Sequence, residues 1–368
     1  MDQVDQQSSG VRIEHAEHVQ RAENASDMNG SFHLPAPSAP LALPVAANVS
    51  HERSSGKLAA WVRLCRPPTL LLGLAPAGAT LALLWATGRR VSLLPAICLL
   101  LSVLLVMSGA SMLDEYLEFE RNVHRRWDPN AGGSYYAANV LEGTGIEPMT
   151  TLRASILLLA LGLVVGLPLL LTGGAFLLGL GLLGLIIAFL YSSTNYALKR
   201  LPAGEFVILL ALGPGLVTAT ALSQAVLPTM QELLLGLAFG LFAFSLVLAA
   251  HLRDRDADRA IARKTLVQLN GERGSLLLYS VGLIAAYALV SLAALPKGGS
   301  HGALLAIFSL PATLVAWTGV MRATARTTRH LAVRAMLRAY ASFALWTLIG
   351  LLAAGVIVRL VPFLQQHL

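Results

Sequence analysis

Two acidic stretches in this sequence have the residue types and the spacing that could hold metal ions. The first contains Asp114, Glu115 and Glu118, and the second contains Asp254 and Asp258. If each stretch is helical, residues four apart share one face, so Asp114 lies beside Glu118 and Asp254 lies beside Asp258. Carboxylates this close repel one another. A helix keeps them at small cost only when they are solvated or when a cation lies between them.

The chemistry that such carboxylate pairs suit is the binding of Mg²⁺ together with a diphosphate. Mg²⁺ takes oxygen ligands and is usually shared between carboxylates and the phosphates of a substrate. We therefore predict that all five carboxylates hold Mg²⁺ against a diphosphate. Five carboxylates and a diphosphate carry more negative charge than two Mg²⁺ ions neutralise, so the site also requires basic partners. Five residues on the same predicted side of the chain are candidates: Arg66, Arg121, Lys199, Arg253 and Lys264.

The alternative interpretation is that these acidic residues are merely solvated charges at the ends of helices. Two matched pairs, four apolar segments apart and on the same predicted side, favour a site instead. Glu120 and Asp256 fall on other faces of their helices, and we expect them to be solvated.

The segments that must position these motifs are long and apolar. Of the 368 residues, 55% are hydrophobic and 13% are charged, whereas a soluble domain carries about 25% charged residues. Apolar runs near twenty residues long recur, and that length spans a hydrocarbon core of about 30 Å. The composition excludes a soluble globular protein and predicts an all-α bundle of nine membrane-spanning helices, at 68–87, 92–113, 152–172, 174–192, 205–227, 232–251, 275–296, 302–320 and 340–361.

The positions of the basic residues predict the orientation of these helices. With the N-terminus inside, 23 of the 27 Lys and Arg residues lie on the inner side and 4 on the outer side. The net charge of +7 therefore indicates a membrane partner and not nucleic acid. Residues 1–57 are polar and without a sustained period, so we predict a disordered extension before a membrane domain at 58–368.

Cysteine and histidine usage indicates no further metal site. Cys65 and Cys98 fit neither a disulfide framework nor a metal cluster. Three histidines on the predicted inner side lack the spacing of metal ligands, and we assign them no metal: His124, His251 and His330. Gly162/Gly166 and Gly236/Gly240 are pairs of small residues that let helices approach closely, and we predict that they serve packing.

The order and spacing of several motifs resemble the UbiA superfamily of intramembrane prenyltransferases, most closely its dihydroxynaphthoate polyprenyltransferase branch. The resemblance covers about residues 60–361. The first acidic motif and Ala250-His251 depart from the family pattern, which usually has Asn-Asp-x-x-Asp and two asparagines there. The motifs that carry the resemblance are Trp61-Val-Arg-Leu-Cys-Arg66-Pro67, Tyr191 with Leu198-Lys199-Arg200 and Gly204-Glu205, and Leu252-Arg253-Asp254-x-x-x-Asp258-Arg259 with Lys264-Thr265-Leu266.

The resemblance implies helices around a central cavity that opens to the inner leaflet of the cytoplasmic membrane. It implies Mg²⁺-dependent transfer of a prenyl group from a polyprenyl diphosphate to an aromatic quinone precursor. We expect Arg66, Lys199 and Arg253 to stabilise the leaving diphosphate. We expect the ring of Tyr191 or Tyr116 to face the allylic carbocation.

Two other functions stay open at this point. A secondary transporter also carries intramembrane charges, although it places acidic groups near the middle of its helices. A terpene cyclase on the same scaffold would let the carbocation close on itself and would need no aromatic acceptor.

Overall fold

The computed structural model describes residues 57–120, 146–192, 197–260, 262–295, 299–323 and 326–367. Every regular element in this part of the chain is helical, as the apolar pattern predicts. Short 3₁₀ segments lie at Leu167–Leu169, Leu198–Arg200 and Gly299–Ser309, and a π-helical segment lies at Ala211–Gly215. The α-helices are α1 (Lys57–Leu64), α2 (Pro67–Ala86), α3 (Leu93–Glu120), α4 (Pro148–Gly166), α5 (Leu170–Ser192), α6 (Ala203–Leu210), α7 (Leu216–Ser223), α8 (Met230–Ala260), α9 (Leu266–Ala293), α10 (Leu310–Arg322) and α11 (Arg326–His367).

Eight stretches of the described chain are long and apolar enough to cross a bilayer, and one of them contains two crossings. This stretch, Pro148–Tyr191, has 44 residues. Its backbone leaves the helical conformation at Gly174 (φ 59°, ψ −159°), in the left-handed region where glycine is favoured. The chain therefore turns at Gly173-Gly174, between the predicted spans 152–172 and 174–192. The described chain has nine apolar crossings, as the sequence predicts.

Contacts with α3 show that the chain reverses direction at this turn. The hydroxyl of Ser155 donates to the carbonyl of Gly109 at 3.0 Å, and the hydroxyl of Ser102 donates to the carbonyl of Gly162 at 2.7 Å. Helix α4 therefore runs antiparallel to α3. After the turn, α5 runs back until Tyr191 lines the same cavity as residues near the end of α3.

Glycines bring the helices of the bundle into close contact, as the spacing of Gly236 and Gly240 predicts. A Cβ added at Gly236 would lie 2.7 Å from the side chain of Val217. A Cβ added at Gly213 would lie 2.6 Å from the carbonyl oxygen of Gly236. At Gly240 an added Cβ would clash with the carbonyl oxygen of Leu209. Helix α8 thus packs directly against the backbone of α6 and the π-helical segment.

The core that fixes α8 is aromatic. Phe239 and Phe242 of α8 pack edge-on or tilted against Tyr340 and Phe343 of α11, with ring centroids 5.0–6.1 Å apart. All four side chains are buried. Such aromatic pairs bury apolar surface and also favour a defined ring geometry. They anchor the middle of α8, and its charged end continues past the apolar core to Ala260.

Candidate active site

The two acidic stretches lie together at one end of the bundle, which we call the charged end. Both α3 and α8 continue as helices beyond their apolar parts, to Glu120 and Ala260. One guanidinium joins them: Arg263 donates through Nη2 to Glu118 of α3 at 3.0 Å and through Nη1 to Asp258 of α8 at 3.1 Å. The acidic groups are therefore neighbours in space, although 140 positions separate Glu118 and Asp258 in the sequence.

Arg66 holds the first acidic motif from the side of α2. Its Nε and Nη2 donate to one oxygen of Glu115 at 3.0 and 2.7 Å, and its Nη1 donates to Asp114 at 2.9 Å. The residue has a left-handed backbone (φ 50°) directly before Pro67, where α2 begins. Burial would lower the pKa of Arg66, but the carboxylates of Glu115 and Asp114 outweigh it and raise that pKa. Arg66 therefore stays charged.

Lys199 enters the site from the 3₁₀ turn that follows α5. Its ammonium donates to Glu118 at 2.8 Å and also to Asp114. The side chain is 8% exposed, so its charge depends on these two carboxylates for compensation. Lys199 thus lies between the two residues that the sequence places on one face of α3.

Arg253 and Asp254 form a pair on α8. The guanidinium of Arg253 donates two parallel hydrogen bonds to the carboxylate of Asp254, at 2.7 and 2.6 Å. This two-point geometry is the strong form of an arginine–carboxylate contact. Both residues line the cavity described below, so the pair presents charge to its interior.

The basic residue that joins the two acidic motifs is Arg263, which is not among the five predicted basic partners, whereas its neighbour Lys264 is one of them. Ala262 has a left-handed backbone (φ 55°), and this turn directs Arg263 inward while Lys264 stays exposed. Burial would lower the pKa of Arg263, but Glu118 and Asp258 outweigh it and raise that pKa. Arg121 lies outside the described residues.

The five acidic residues predicted as metal ligands fall into two groups. Asp114, Glu118 and Asp254 line the cavity. Glu115 and Asp258 lie behind its wall and are 1% and 0% exposed, respectively. Burial raises the pKa of Asp258, with Arg263 and His251 opposing the shift. The interpretation as merely solvated charges is therefore wrong for these residues, whereas Glu120 and Asp256 are exposed as predicted.

The chemistry of these oxygen atoms fits a hard divalent cation such as Mg²⁺. Among the five acidic residues of the two motifs, Oε2 of Glu115 and Oδ2 of Asp258 are buried and have no hydrogen-bond partner within the described part of the chain. Each of the five carboxylates accepts a hydrogen bond from a Lys or Arg side chain through at least one oxygen. No three His, Cys, Asp or Glu side chains among the described residues converge closely enough to form a metal cluster.

An apolar cavity of about 600 Å³ extends from the charged end into the bundle. Its far wall includes Leu99, Leu169 and Leu177, which are buried together with Leu222. Leu99 precedes Asp114 by 15 positions on one helix, so the cavity extends about 22 Å along α3 from the acidic residues at 1.5 Å per residue. Tyr191 lines this cavity, whereas Tyr116 does not.

A histidine–glutamate pair beside the acidic motifs was not predicted as functional. Nδ1 of His251 lies 2.9 Å from Oε1 of Glu205, and the backbone N–H of Leu266 donates to the same oxygen at 3.0 Å. The Glu205 side chain is completely buried, while His251 is 13% exposed and lines the cavity. The sequence separates the two residues by 46 positions, and metal-ligand spacing could not reveal the pair.

Comparison with known proteins identifies related sequences and folds. A sequence profile of the UbiA prenyltransferase family matches residues 74–348. The 1,4-dihydroxy-2-naphthoate octaprenyltransferase of Bacillus subtilis (strain 168) is 25% identical over 227 residues, which cover 61% of this chain and 70% of the relative.

Solved structures share the fold at lower sequence identity. A UbiA homologue from Archaeoglobus fulgidus bound to GPP and Mg²⁺ has a TM-score of 0.58 and 17% identity, and covers 80% of this chain and 99% of that one. A ligand-free UbiA homologue from Aeropyrum pernix K1 has a TM-score of 0.55 and 18% identity, and covers 80% and 98%. At these identities the likeness concerns the fold alone.

Proposed function

Because the chain belongs to the UbiA prenyltransferase family, we propose that it transfers a prenyl group from an allylic polyprenyl diphosphate to an aromatic acceptor of the dihydroxynaphthoate type. The protein is a multi-pass integral membrane prenyltransferase. The acceptor class rests on the Bacillus subtilis relative, whose name specifies 1,4-dihydroxy-2-naphthoate.

The observation that carries this proposal is the pairing of a charged cluster with a long apolar cavity. A polyprenyl diphosphate has the same division, with an anionic head and a hydrocarbon chain. Arg66, Lys199, Arg253 and Arg263 provide cationic groups at the head end, and leucines line the far end. Ligand sites of this kind are largely apolar with a few well-placed polar groups.

We propose that Mg²⁺ binds with the diphosphate on Asp114, Glu118 and Asp254, with Glu115 and Asp258 supporting them from behind the wall. The five carboxylates outnumber the four basic groups by one, so the site is anionic before an anionic head arrives. Divalent cations are the usual means by which proteins join carboxylates to substrate phosphates. A structural neighbour from Archaeoglobus fulgidus is bound to DMAPP and Mg²⁺, which supports the same choice of metal here.

The chain's own residues have separable roles in the reaction that we propose. When Mg²⁺ is bound, it neutralises negative charge that builds up on the diphosphate oxygens. Arg66, Lys199 and Arg253 donate to the departing diphosphate as the allylic C–O bond breaks, which is stabilisation of developing charge by fixed groups. The ring of Tyr191 faces the allylic cation through its π face. The apolar wall excludes water that would quench the cation.

We propose that the charged end faces the cytoplasm, with the N-terminus on the same side. Nearly all Lys and Arg residues fall on this side of the predicted spans. A site at this end receives a water-soluble acceptor precursor from the cytoplasm and a lipid diphosphate from the inner leaflet.

Alanine substitution of the second acidic motif tests the metal assignment. We expect Asp254→Ala to lower the rate of prenyl transfer at saturating Mg²⁺ by about 100-fold or more, because loss of one charge-stabilising contact has that effect in other enzymes. Asp258→Asn keeps the shape of a buried side chain and removes its charge, and we expect a comparable loss. Asp256→Ala is the matched control, since Asp256 lies on the same helix and is 55% exposed.

The readout is the rate of formation of prenylated acceptor by purified protein in detergent. Elution as a single species from size exclusion distinguishes a chemical defect from misfolding. Wild-type rates in both Asp254→Ala and Asp258→Asn, with Mg²⁺ present, would contradict the proposed metal site.

A further inference from the structure

We propose that His251 is the general base that accepts the hydroxyl proton of a phenolic acceptor, and that Glu205 positions its ring for this task. The inference rests on the proposed function, because it assigns the group that activates the acceptor. It adds a catalytic residue that lies outside the acidic motifs and their basic partners.

The geometry first fixes which nitrogen is available. Nδ1 of His251 lies 2.9 Å from the carboxylate of Glu205. A carboxylate accepts hydrogen bonds, so this contact holds the proton on Nδ1 and leaves Nε2 as an acceptor. Nε2 has no hydrogen-bond partner among the described residues, and the ring lines the cavity. The free acceptor nitrogen is therefore on the side of the ring remote from Glu205.

The position of Glu205 indicates a positioning role. Its side chain is fully buried on α6, and one oxygen is fixed by two donors, Nδ1 of His251 and the backbone N–H of Leu266 at the start of α9. A buried carboxylate is costly unless it is paired. If Glu205 served packing alone, an apolar residue of similar size would do as well at this position. The carboxylate is explained by the orientation it gives to the imidazole, as in other enzymes where an acid orients a basic histidine.

The surroundings place His251 beside the reaction and not in the metal site. Arg253 and Asp254, on the next turn of α8, are occupied with each other. Titratable side chains from other parts of the chain line the same cavity, among them Tyr191, Lys199 and Arg263. Within the described chain His251 makes no hydrogen bond or ion pair with an acidic side chain of the two motifs, and it acts on Asp258 only at longer range. It thus borders the cavity about one helical turn before Asp254 on α8.

In the proposed reaction the acceptor loses its hydroxyl proton as the new C–C bond forms. The hydroxyl O–H bond of the acceptor breaks, its proton goes to Nε2 of His251, and its electron pair forms a C=O bond. The C1–O bond of the prenyl diphosphate breaks with its electron pair leaving on the diphosphate, and the ring carbon beside the hydroxyl uses its π electrons to form a bond to C1 of the resulting allylic cation. The keto product regains aromaticity when its oxygen takes the proton back from the imidazolium and the ring carbon loses its proton to the released diphosphate.

The test compares acceptors of different acidity in wild type, His251→Asn and Glu205→Gln. For a weakly acidic phenol we expect His251→Asn to lower kcat by about 100-fold or more, as removal of a general base does. For a phenol that is already ionised at the assay pH, we expect the loss to shrink to less than about tenfold, because no proton needs removal. Glu205→Gln is expected to give an intermediate loss with the same dependence on acceptor acidity. His301→Asn, at an exposed position away from the cavity, is the matched control.

Binding of a non-ionisable prenyl thiodiphosphate with Mg²⁺ gives an independent readout. We expect its Kd to change less than about twofold in His251→Asn, since His251 does not belong to the groups that bind the anion. Wild-type kcat of His251→Asn with the weakly acidic phenol overturns the inference and leaves the proposed function intact. An equal loss with all acceptors also overturns it, because that result indicates a structural role. Absence of prenylated product from wild type with every acceptor overturns the proposed function itself.

Discussion

At the scale of single residues, the site is organised by pairing each acidic group with a basic group. Asp114 and Glu118 share Lys199, and Glu118 and Asp258 share Arg263. These side chains are at most 10% exposed, so their interactions are weakly screened by solvent. Each of these buried charges is therefore compensated by an opposite charge.

Arg263 gives the sharpest prediction at this scale. We expect Arg263→Met to destabilise the protein by about 3–5 kcal/mol, because it leaves Glu118 and Asp258 buried without their shared partner. Its activity should fall by at least the factor expected for loss of one contact with the diphosphate, about 100-fold. The thermal midpoint in detergent and the transfer rate measure the two effects.

Lys264→Met is the matched control for this change. It removes the same charge from the adjacent residue, whose side chain is exposed, and surface substitutions of this kind are usually within about 0.5 kcal/mol. If the two variants lose equal stability and activity, the role assigned to Arg263 is wrong.

The acidic residues could be predicted from the sequence, whereas the choice between adjacent basic residues could not. The spacing of Asp114, Glu118, Asp254 and Asp258 follows directly from the period of a helix. The inward position of Arg263 depends on the left-handed backbone at Ala262, a conformation uncommon for alanine. The Glu205–His251 pair depends on how α6 packs against α8, which a single sequence does not reveal.

At the scale of elements, the apolar pattern predicts the crossings well and the short connecting segments poorly. The nine spans follow from the length of the apolar runs, and the turn at Gly173-Gly174 follows from the two adjacent glycines. The predicted span 205–227 is in fact α6, the π-helical segment and α7 in succession. Pro214 lies within that segment, and a proline in a helix removes one backbone hydrogen bond and disturbs the regular turn.

The contact between this segment and α8 predicts the effect of a single added methyl group. In Gly213→Ala the new Cβ would lie 2.6 Å from the carbonyl oxygen of Gly236 and 3.0 Å from Cα of Gly240. Backbone atoms cannot move aside as side chains do, so we expect a loss of about 1–3 kcal/mol. The midpoint of thermal unfolding in detergent measures it.

Gly179→Ala serves as the control for this prediction. It is a glycine of a membrane-spanning helix at which an added Cβ would meet nothing within 4 Å. Its midpoint should equal that of wild type or exceed it. Equal destabilisation by the two variants would show that backbone contact with α8 is not the cause.

At the scale of the whole molecule, most of the charge in the described chain lies at one end, and much of the surface of the spans is apolar. Large hydrophobic side chains are exposed along α4, α5 and α10, as expected for helices that face lipid. A site at the charged end of such a bundle has one face toward water and one toward the hydrocarbon interior. This division suits a reaction between a polar acceptor and a lipid diphosphate.

The proposed orientation predicts which positions are accessible from each side of the membrane. In a protein with Cys65 and Cys98 replaced by alanine, Lys264→Cys at the charged end should resist a membrane-impermeant maleimide in intact cells. Arg90→Cys, exposed at the other end, should react. Both positions should react after the cells are permeabilised. Labelling of Lys264→Cys alone in intact cells would reverse the orientation.

The most direct test of the central claim is the mass of the product made by the purified protein. The protein is incubated with polyprenyl diphosphates and a mixed pool of aromatic quinone precursors, with Mg²⁺ or with EDTA. We predict a product with the mass of one acceptor joined to one prenyl group, formed with Mg²⁺ and absent with EDTA. A prenyl hydrocarbon or alcohol as the only product, or diphosphates that stay unchanged in the presence of Mg²⁺, would contradict the account.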